Sequence, residues 1–260
     1  MVRNFRFVSA VIVLFILTFP CFSHAEGKIG VVLMHGKDGT AKPHAPIGEL
    51  IEFLKNDYLV DAPDMPWSRS NGLNRTLEES FNDIDLAVER LKNAGATKIV
   101  VGGHSMGAAA ALAYATQRSG LAGVLMIAAG HRPDLWARKN MTALENAKAL
   151  IASGNPKDRV DIQDKDQGKL FARSVAADIA VSWFDPDGLV VMQNSAGILK
   201  PGTPVLFIIG EQDFLRPTGE SLIFDKLPAH PKSAFVVVSG GHKQTPGIGK
   251  SEIADWLNKL

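Results

Sequence analysis

The feature that most constrains the fold of this sequence is a series of short, nearly continuous apolar runs rich in β-branched residues. Stretches such as "IGVVLM" and "PVLFIIG" do not alternate apolar and polar side chains. Such continuous apolar runs are typical of strands covered on both faces. Six such candidate strands occur, at residues 29–34, 58–62, 98–103, 123–129, 204–210 and 234–239. With helical periodicity between them, they predict an α/β fold, a mostly parallel central sheet with helices on both faces.

Helical segments and one long insertion lie between the strands. Apolar residues recur at three- and four-residue spacing from Leu77 to Leu91, the period of a helix that packs on one face. Residues 131–202, between the fourth and fifth strands, are far more than a parallel crossover requires. They contain two segments that we predict to be helical, "TALENAKALIASG" and "LFARSVAADIAVSWF", separated by the polar "NPKDRVDIQDKDQG". We therefore expect a helical cap insertion over one end of the sheet.

The N-terminal segment, residues 1–25, is typical of a secretory signal peptide. A short basic start, an apolar run of 13 residues and the final "CFSHA" predict cleavage before Glu26. An uncleaved membrane anchor is disfavoured, because crossing a bilayer takes roughly 20 apolar residues. A lipoprotein signal at Cys21 is disfavoured because a bulky phenylalanine and a proline precede it. We expect an exported chain, periplasmic in a Gram-negative source and secreted otherwise, with residues 26–260 in one domain.

Cleavage would leave a mature chain with nearly balanced charge and no cysteine. The whole sequence has 28 Lys and Arg against 27 Asp and Glu, and removal of Arg3 and Arg6 leaves 26 against 27, a net charge of −1. This balance gives no reason to expect a nucleic-acid partner. Because Cys21 is the only cysteine, we expect no disulfide, cysteine nucleophile or cysteine ligand in the mature chain. We also expect no stable membrane association after cleavage.

The pentapeptide "GHSMG" at residues 103–107 fits the pattern G-x-S-x-G and lies between the third predicted strand and the helical "AAAALAYATQR". A serine at such a sharp strand-to-helix turn has a strained backbone, and its hydroxyl is exposed above the sheet. Gly103 and Gly107 carry no Cβ and so let neighbouring backbones approach. We therefore predict that Ser105 is a nucleophile rather than a residue of an ordinary turn.

A serine nucleophile needs a base, and His242 is the candidate. It lies in the Gly-rich "SGGHKQTP", directly after the last predicted strand. The carboxyl ends of parallel strands are where such sheets place their chemistry. An ordinary surface position is the competing interpretation for a loop histidine. His104, beside the serine, is expected to point elsewhere because of the turn.

The base in turn needs a carboxylate that orients it. The segment "GEQDF" follows the fifth predicted strand, and its spacing favours Asp213 over Glu211. Asp185 and Asp187, in "WFDPDG" of the cap insertion, are further alternatives. A purely structural role for Asp213, in capping a helix or turning the loop, is the competing interpretation.

The turn "HGKDG" after the first strand is the candidate second half of an oxyanion hole. We predict the main-chain N–H groups of Lys37 and Met106 as donors, with His35 and Gly36 as supporting residues. An ordinary glycine turn is the alternative. No second ligand lies at a metal-binding spacing from His35, so we expect no metal, and nothing in the sequence indicates a cofactor.

The segments "HGKDG", "GHSMG", "GEQD" and "GGH", each at the end of a predicted strand, together resemble the α/β-hydrolase superfamily over residues 28–260. The resemblance implies an eight-stranded sheet with a cap after the sixth strand, and the six predicted strands correspond to its third to eighth. The N-terminus is minimal, because only "EGK" precedes the first strand. The roles that the resemblance implies are nucleophile for Ser105, acid for Asp213, base for His242, and oxyanion donors for Lys37 and Met106.

These residues predict a serine hydrolase that works through an acyl-enzyme. The preferred substrate is a small-molecule carboxylic ester, lactone or thioester of modest size. A peptidase, an amidase, an acyltransferase or a cofactor-free perhydrolase would use the same fold and triad, and a non-catalytic binding protein is a third hypothesis. Trp183, Phe184, Leu215 and the segment "DMPWSRS" either line an apolar substrate pocket or belong to the core. The sequence does not indicate an oligomeric state.

Overall fold

The computed structural model describes residues 27–166 and 168–260, so the signal peptide predicted at residues 1–25 lies outside the described residues. The described strands are β1 (Ile29–Met34), β2 (Leu59–Asp61), β3 (Lys98–His104), β4 (Gly123–Ile127), β5 (Arg159–Asp166), β6 (Lys169–Ala176), β7 (Val205–Gly210) and β8 (Ala234–Val238). The described helices are α1 (Gly48–Leu54), α2 (Leu77–Asn93), α3 (Met106–Gln117), α4 (Ala137–Ala152), α5 (Ala177–Phe184), α6 (Met192–Ile198), α7 (Arg216–Leu222), α8 (Thr245–Ile248) and α9 (Lys250–Leu257).

Six of the described strands form one parallel sheet in the order β2-β1-β3-β4-β7-β8. They are the six strands that the sequence predicts, so the α/β class is confirmed. The chain order reverses beside β1, because β2 lies on one side of it and β3 on the other. Met34, at the end of β1, pairs with Gly103 near the end of β3. The turns that follow these two strands therefore lie side by side, where α/β sheets bind ligands.

Both faces of the sheet are buried, which explains the continuous apolar runs. On β1, Val31 and Leu33 enter the layer formed with α1 and α9. Val32 and Met34 enter the opposite layer, formed with α2 and α3. Because successive side chains of a strand point to opposite faces, a strand in the middle of such a sheet needs apolar residues at every position.

The helices form where local signals and burial agree. α2 begins with a capping box, in which the Thr76 side chain accepts from the Glu79 main-chain N–H at 3.1 Å and the Glu79 carboxylate accepts from that of Thr76 at 2.8 Å. Such a cap stabilises a helix by about 1 kcal/mol. α3 is alanine-rich and buried along nearly its whole surface, so its small side chains let it pack closely on β3 and β4. No helix within the described ranges is long and apolar enough to cross a bilayer.

The cap insertion contains the helices α4, α5 and α6, but it also contains a β-hairpin that the sequence analysis did not predict. The segment "LFARSVAADIAVSWF" runs as β6 up to Ala176 and becomes helical, as α5, only after it. The polar segment before it contains β5, which pairs with β6 in an antiparallel hairpin. The reason lies in a period of two: Val160, Ile162 and Asp164 are buried, and the residues between them are exposed. Alternation of this kind favours a half-buried strand over a helix.

Candidate active site

Ser105 lies at the junction between β3 and α3 in a strained backbone conformation. Its φ is 56° and its ψ is −117°, a combination that costs a non-glycine residue about 1–3 kcal/mol and that clusters at functional sites. A Cβ on Gly103 would lie 2.7 Å from the Met34 carbonyl oxygen, and one on Gly107 would lie 2.7 Å from that of His35. Only glycine fits at these two positions, so the turn is packed tightly around the serine.

Two hydrogen bonds join the side chains of Ser105, His242 and Asp213. Nε2 of His242 lies 2.9 Å from Oγ of Ser105, and Nδ1 of His242 lies 2.7 Å from Oδ2 of Asp213. An ionised carboxylate only accepts hydrogen bonds, so the proton is on Nδ1. Nε2 therefore presents its lone pair to the serine hydroxyl. This arrangement can remove the hydroxyl proton as the oxygen attacks an electrophile.

Three different strands deliver these residues. Ser105 follows β3, Asp213 follows β7 and His242 follows β8. Asp213 is buried, and its second oxygen accepts from the Leu215 main-chain N–H at 2.9 Å. Both carboxylate oxygens are thus occupied, which holds the group in one orientation.

The alternative carboxylates lie elsewhere. Glu211 and Asp187 are exposed, and Asp185 pairs with Lys148 at 2.7 Å. Among the described residues, none of these three carboxylates forms a hydrogen bond with His242, whereas Asp213 does.

His104 turns away from the serine hydroxyl, as expected, but it contacts the base. Its Nε2 donates to the main-chain oxygen of His242 at 2.9 Å. Burial, and then the nearby His242, lowers the pKa of His104 to about 3, so its imidazole is neutral at neutral pH. The residue before Ser105 thereby holds the loop that carries His242, a contact that the sequence analysis did not identify.

Residues 35–39, which we call the oxyanion loop, are held by the buried imidazole of His35. Its Nδ1 donates to the Gly36 carbonyl oxygen at 2.8 Å, and its Nε2 accepts from the Met65 main-chain N–H at 3.0 Å. The indole of Trp67 donates to the His35 carbonyl oxygen at 2.9 Å. Burial lowers the pKa of His35, which keeps this imidazole neutral. Both ring nitrogens are engaged, so His35 is a structural residue of the loop.

The main-chain N–H groups of Lys37 and Met106 are free to act as donors. Neither N–H group has a hydrogen bond to another group in the described part of the chain, and both residues line the same cavity as Ser105. Met106 is the first residue of α3, so its N–H is at the positive end of the helix dipole. The two groups are suited to bind a negatively charged oxygen.

A cavity of about 380 Å³ lies between Ser105 and the cap insertion. Apolar side chains on its wall include Phe184, Phe214, Leu135 and Trp136. Phe214 is 62% exposed and packs near the His242 ring, with ring centroids 5.6 Å apart. This volume and lining suit a small, partly apolar molecule.

Only some of the apolar residues that the sequence analysis considered as pocket lining lie on the cavity wall. Phe184 lines the cavity. Trp67 and Trp183 are fully buried and pack edge to face, with centroids 5.3 Å apart, and Leu215 is also buried. These three belong to the core. Phe214, which the sequence analysis did not select, lies on the cavity wall and is partly exposed to solvent.

A second groove, of about 850 Å³, also has Ser105 on its wall, together with Asp166 of the cap insertion. Its wall includes the oxyanion loop and the exposed side chains of Lys42, His44, Arg69 and Lys243. Polar and apolar side chains line both the groove and the cavity under the cap, and Ser105 lies on the wall of each.

The segment after β4 also forms part of the site, although the sequence analysis did not single it out. Gly130 donates its N–H to the Ser105 carbonyl oxygen at 3.1 Å. His131 lines the cavity with a φ of 69° and donates from Nε2 to the Trp183 carbonyl oxygen at 2.7 Å. Burial, and then the Lys37 ammonium, lowers the pKa of His131 to about 4. It is therefore a neutral imidazole in the cavity wall.

Metal ligation finds no support in the described ranges, which contain no cluster of three or more His, Cys, Asp and Glu side chains that could hold an ion.

Comparisons with known proteins identify the family and the fold of the chain. The profile described as the alpha/beta hydrolase family matches residues 31–248. Among curated proteins, none matches the sequence.

Several solved structures have a similar fold. The monoacylglycerol lipase of Paleococcus ferrophilus is 21% identical with a TM-score of 0.62, over 90% of this chain and 96% of that chain. A soluble variant of monoglyceride lipase from Saccharomyces cerevisiae is 20% identical with a TM-score of 0.62, over 91% and 88%. A carboxyl esterase from Bacillus coagulans is 15% identical with a TM-score of 0.63, over 91% of both chains. At these identities the likeness is one of fold.

Proposed function

The chain belongs to the alpha/beta hydrolase family, and we propose that it is an exported serine hydrolase that cleaves a carboxylic ester, a lactone or a thioester of modest size. The observation that carries the proposal is the hydrogen-bonded series Ser105, His242 and Asp213, with distances of 2.9 and 2.7 Å. An ordinary loop histidine has no reason to lie between a strained serine and a buried carboxylate. The lipase and esterase neighbours agree with this reaction class.

The first half-reaction acylates the serine. Ser105 Oγ attacks the carbonyl carbon of the substrate while its proton passes to Nε2 of His242. Asp213 holds the Nδ1 proton and stabilises the resulting imidazolium. The N–H groups of Lys37 and Met106 bind the oxyanion, and a donor of this kind contributes about 10²–10³ in rate. The carbonyl then reforms, and the leaving oxygen or sulfur takes the proton from Nε2.

The second half-reaction hydrolyses the acyl-enzyme and regenerates the free enzyme. Water attacks the acyl carbon, and its proton passes to Nε2 of His242. Collapse of the second tetrahedral intermediate releases the carboxylic acid, and Ser105 Oγ regains its proton from the same nitrogen. General acid–base catalysis of this kind contributes about 10²–10⁴ in rate. No metal or cofactor takes part in these steps.

The two spaces beside Ser105 suit the two parts of an ester. The cavity of about 380 Å³ offers Phe184 and Phe214 to an apolar part of the substrate. The groove of about 850 Å³ has Lys42, Arg69 and Lys243 on its wall, which suit a polar part.

The location that we propose follows from the sequence of residues 1–25, which has the three parts of a cleaved signal. The chain is exported, to the periplasm of a Gram-negative source and to the medium otherwise. Expression of the full chain in a Gram-negative host, followed by fractionation and intact mass measurement, tests this. The expected product is periplasmic and begins at Glu26, and a full-length product in the cytoplasm contradicts the proposal.

A fluorophosphonate probe together with p-nitrophenyl esters of increasing acyl length tests the reaction. The protein is expected to be labelled and to hydrolyse the shorter esters, and Ser105→Ala is expected to lose both properties. Ser153→Ala, on the exposed surface of the cap insertion, is the matched control and should behave as the parent protein.

Two outcomes would redirect the assignment. Labelling that persists in Ser105→Ala removes Ser105 as the nucleophile. Labelling without ester hydrolysis points instead to an amide or peptide substrate, or to acyl transfer, since these reactions use the same triad. Product analysis with amide substrates and alternative acyl acceptors then separates them.

A further inference from the structure

The oxyanion loop is joined to the cap insertion by buried charges. The Lys37 ammonium contacts the Asp164 carboxylate of β5 and donates to the Lys165 main-chain oxygen at 3.1 Å. Only 9% of the Lys37 side chain and 4% of the Asp164 side chain are exposed. Removing two charges from water is costly unless they stay paired. The pair therefore holds the two segments together in one geometry.

Arg173 of β6 extends this pair to four alternating charges. Its Nε donates to Asp164 Oδ2 at 3.0 Å, and its Nη2 donates to Asp38 Oδ2 at 2.7 Å. Because Asp38 follows Lys37 in the chain, the series closes into a ring through the backbone. Burial tends to raise the pKa of Asp164, but the Lys37 ammonium, and also the Arg173 guanidinium, hold this pKa below its usual value. Asp164 is therefore a carboxylate.

The other contacts of the oxyanion loop come from the core. The peptide that carries the Lys37 N–H is held at its carbonyl oxygen, because Gly36 O accepts from His35 Nδ1 at 2.8 Å. The next main-chain N–H, that of Asp38, donates to the Trp67 carbonyl oxygen at 2.9 Å. The side chain of Lys37 begins directly after this peptide, and its ammonium group binds the Asp164 carboxylate. The cap hairpin thus supplies the third point that fixes the peptide.

We propose that Asp164 is a positioning residue for catalysis, which holds the Lys37 ammonium and so aims the Lys37 main-chain N–H at the substrate oxyanion. The inference rests on the proposed function, because that function assigns this N–H to the oxyanion hole. A donor acts at about 2.7–3.1 Å from the oxyanion, and a displacement of about 1 Å costs on the order of a hundredfold in rate. Contact between the cap hairpin and the oxyanion loop therefore completes the catalytic site.

Asp164→Asn tests this role in the full mature protein, because it keeps the shape of the side chain and removes its charge. Three quantities are measured with a p-nitrophenyl ester: kcat, KM, and the inhibition constant of an alkylboronic acid, which forms a tetrahedral adduct with a catalytic serine. We expect kcat to fall about 10- to 100-fold and the boronic acid to bind more weakly by a similar factor. KM should change less than about threefold, since ground-state contacts remain.

Two further variants separate positioning from a general effect on the cap. Asp178→Asn breaks an exposed pair of the same cap insertion, with Lys157 at 2.6 Å, and is expected to leave all three quantities unchanged. Asp164→Glu restores the charge and is expected to recover part of kcat. If Asp164→Asn does not fold, the double variant Lys37→Met/Asp164→Asn leaves no unpaired lysine and is expected to show the same loss of kcat and of boronic acid affinity.

The outcomes separate this inference from the proposed function. An ester-hydrolysing parent protein with a folded Asp164→Asn variant, or a folded double variant, that keeps kcat and boronic acid affinity within about threefold overturns the inference and leaves the function intact. A loss that Asp178→Asn shares equally also overturns it. A parent protein without turnover or Ser105-dependent labelling overturns both.

Discussion

Gly130 approaches Ser105 so closely that a Cβ on Gly130 would lie 2.7 Å from the serine Oγ and 3.4 Å from Cε1 of His242. The Gly130 N–H also donates to the Ser105 carbonyl oxygen at 3.1 Å. The loop after β4 therefore lies against both the proposed nucleophile and the base. A side chain at this position would occupy the space in which the hydroxyl meets its base.

Gly130→Ala is expected to lower kcat by about a hundredfold while the protein remains folded. The added methyl group displaces the Ser105 hydroxyl from Nε2 of His242, and a displacement of about 1 Å has an effect of this size. The φ of Gly130 is negative or extended rather than left-handed, so the backbone itself accepts alanine. Ester turnover and thermal unfolding of the variant provide the measurement.

Gly197→Ala is the matched control, because a Cβ at Gly197 in α6 would meet no atom within 4 Å. It should leave turnover unchanged. Normal turnover in Gly130→Ala would contradict the placement of this loop beside the hydroxyl.

His104→Ala is expected to reduce kcat about fivefold, with little change in KM. It removes the donor to the His242 carbonyl oxygen at 2.9 Å. One such hydrogen bond contributes about 1 kcal/mol, and its loss weakens the hold on the loop that positions His242. His104→Gln offers an amide N–H near the same place and is expected to retain most activity. A pH profile of kcat/KM, measured for both variants, shows whether the base itself has changed; equal activity in the two variants would contradict the positioning role.

The strands and the strand-to-helix turn at Ser105 can be predicted from local sequence. The four inner strands β1, β3, β4 and β7 are buried on both faces, so their apolar runs are continuous and visible without a structure. The glycines of "GHSMG" are required by backbone contacts of 2.7 Å, which makes the motif specific. The order of strands also places the turn after β1 beside the turn after β3. Ser105, Asp213 and His242 could therefore be selected from their positions after strands.

The rest of the site depends on contacts distant in sequence. Asp164 contacts Lys37 across 127 positions of the chain, and no local pattern marks such a pair. Strand β5 is hard to recognise because its exposed residues include the charged Arg159 and Asp161, and one of its buried positions is Asp164. Its period of two was the available signal. Gly130 and His131 follow β4 without any motif, so only the fold reveals that they lie beside Ser105.

Asp213→Asn is expected to lower kcat by about 10⁴, because the amide favours the wrong tautomer of His242. Glu211→Gln and Asp185→Asn should remain within a few-fold of the parent protein, since these side chains have other surroundings. Turnover of a p-nitrophenyl ester and circular dichroism of each variant provide the measurement. Near-normal turnover in Asp213→Asn, with a large loss in one of the other two, would transfer the role of the acid.

The buried neutral histidines predict that the folded state loses stability in mild acid. The pKa values of His104 and His131 are lowered from 6.5 to about 3 and about 4, first of all by burial. Below pH 6.5 the unfolded chain binds protons at these histidines and the folded chain does not. Their contribution is therefore fully present above pH 6.5 and is lost as the pH falls toward 4 and then 3. Near pH 5 the two together give a slope of roughly 2–3 kcal/mol per pH unit.

Urea unfolding between pH 7.5 and 4.5 measures this slope. His131→Gln keeps a donor for the Trp183 carbonyl oxygen but cannot titrate, so the free energy of unfolding should fall about half as steeply with decreasing pH. His44→Gln, at an exposed position, is the control and should have the slope of the parent protein. A free energy of unfolding that stays constant from pH 6.5 to 5 would contradict the neutral, buried state of both imidazoles, because two uncompensated protonation sites in the unfolded chain must lower it.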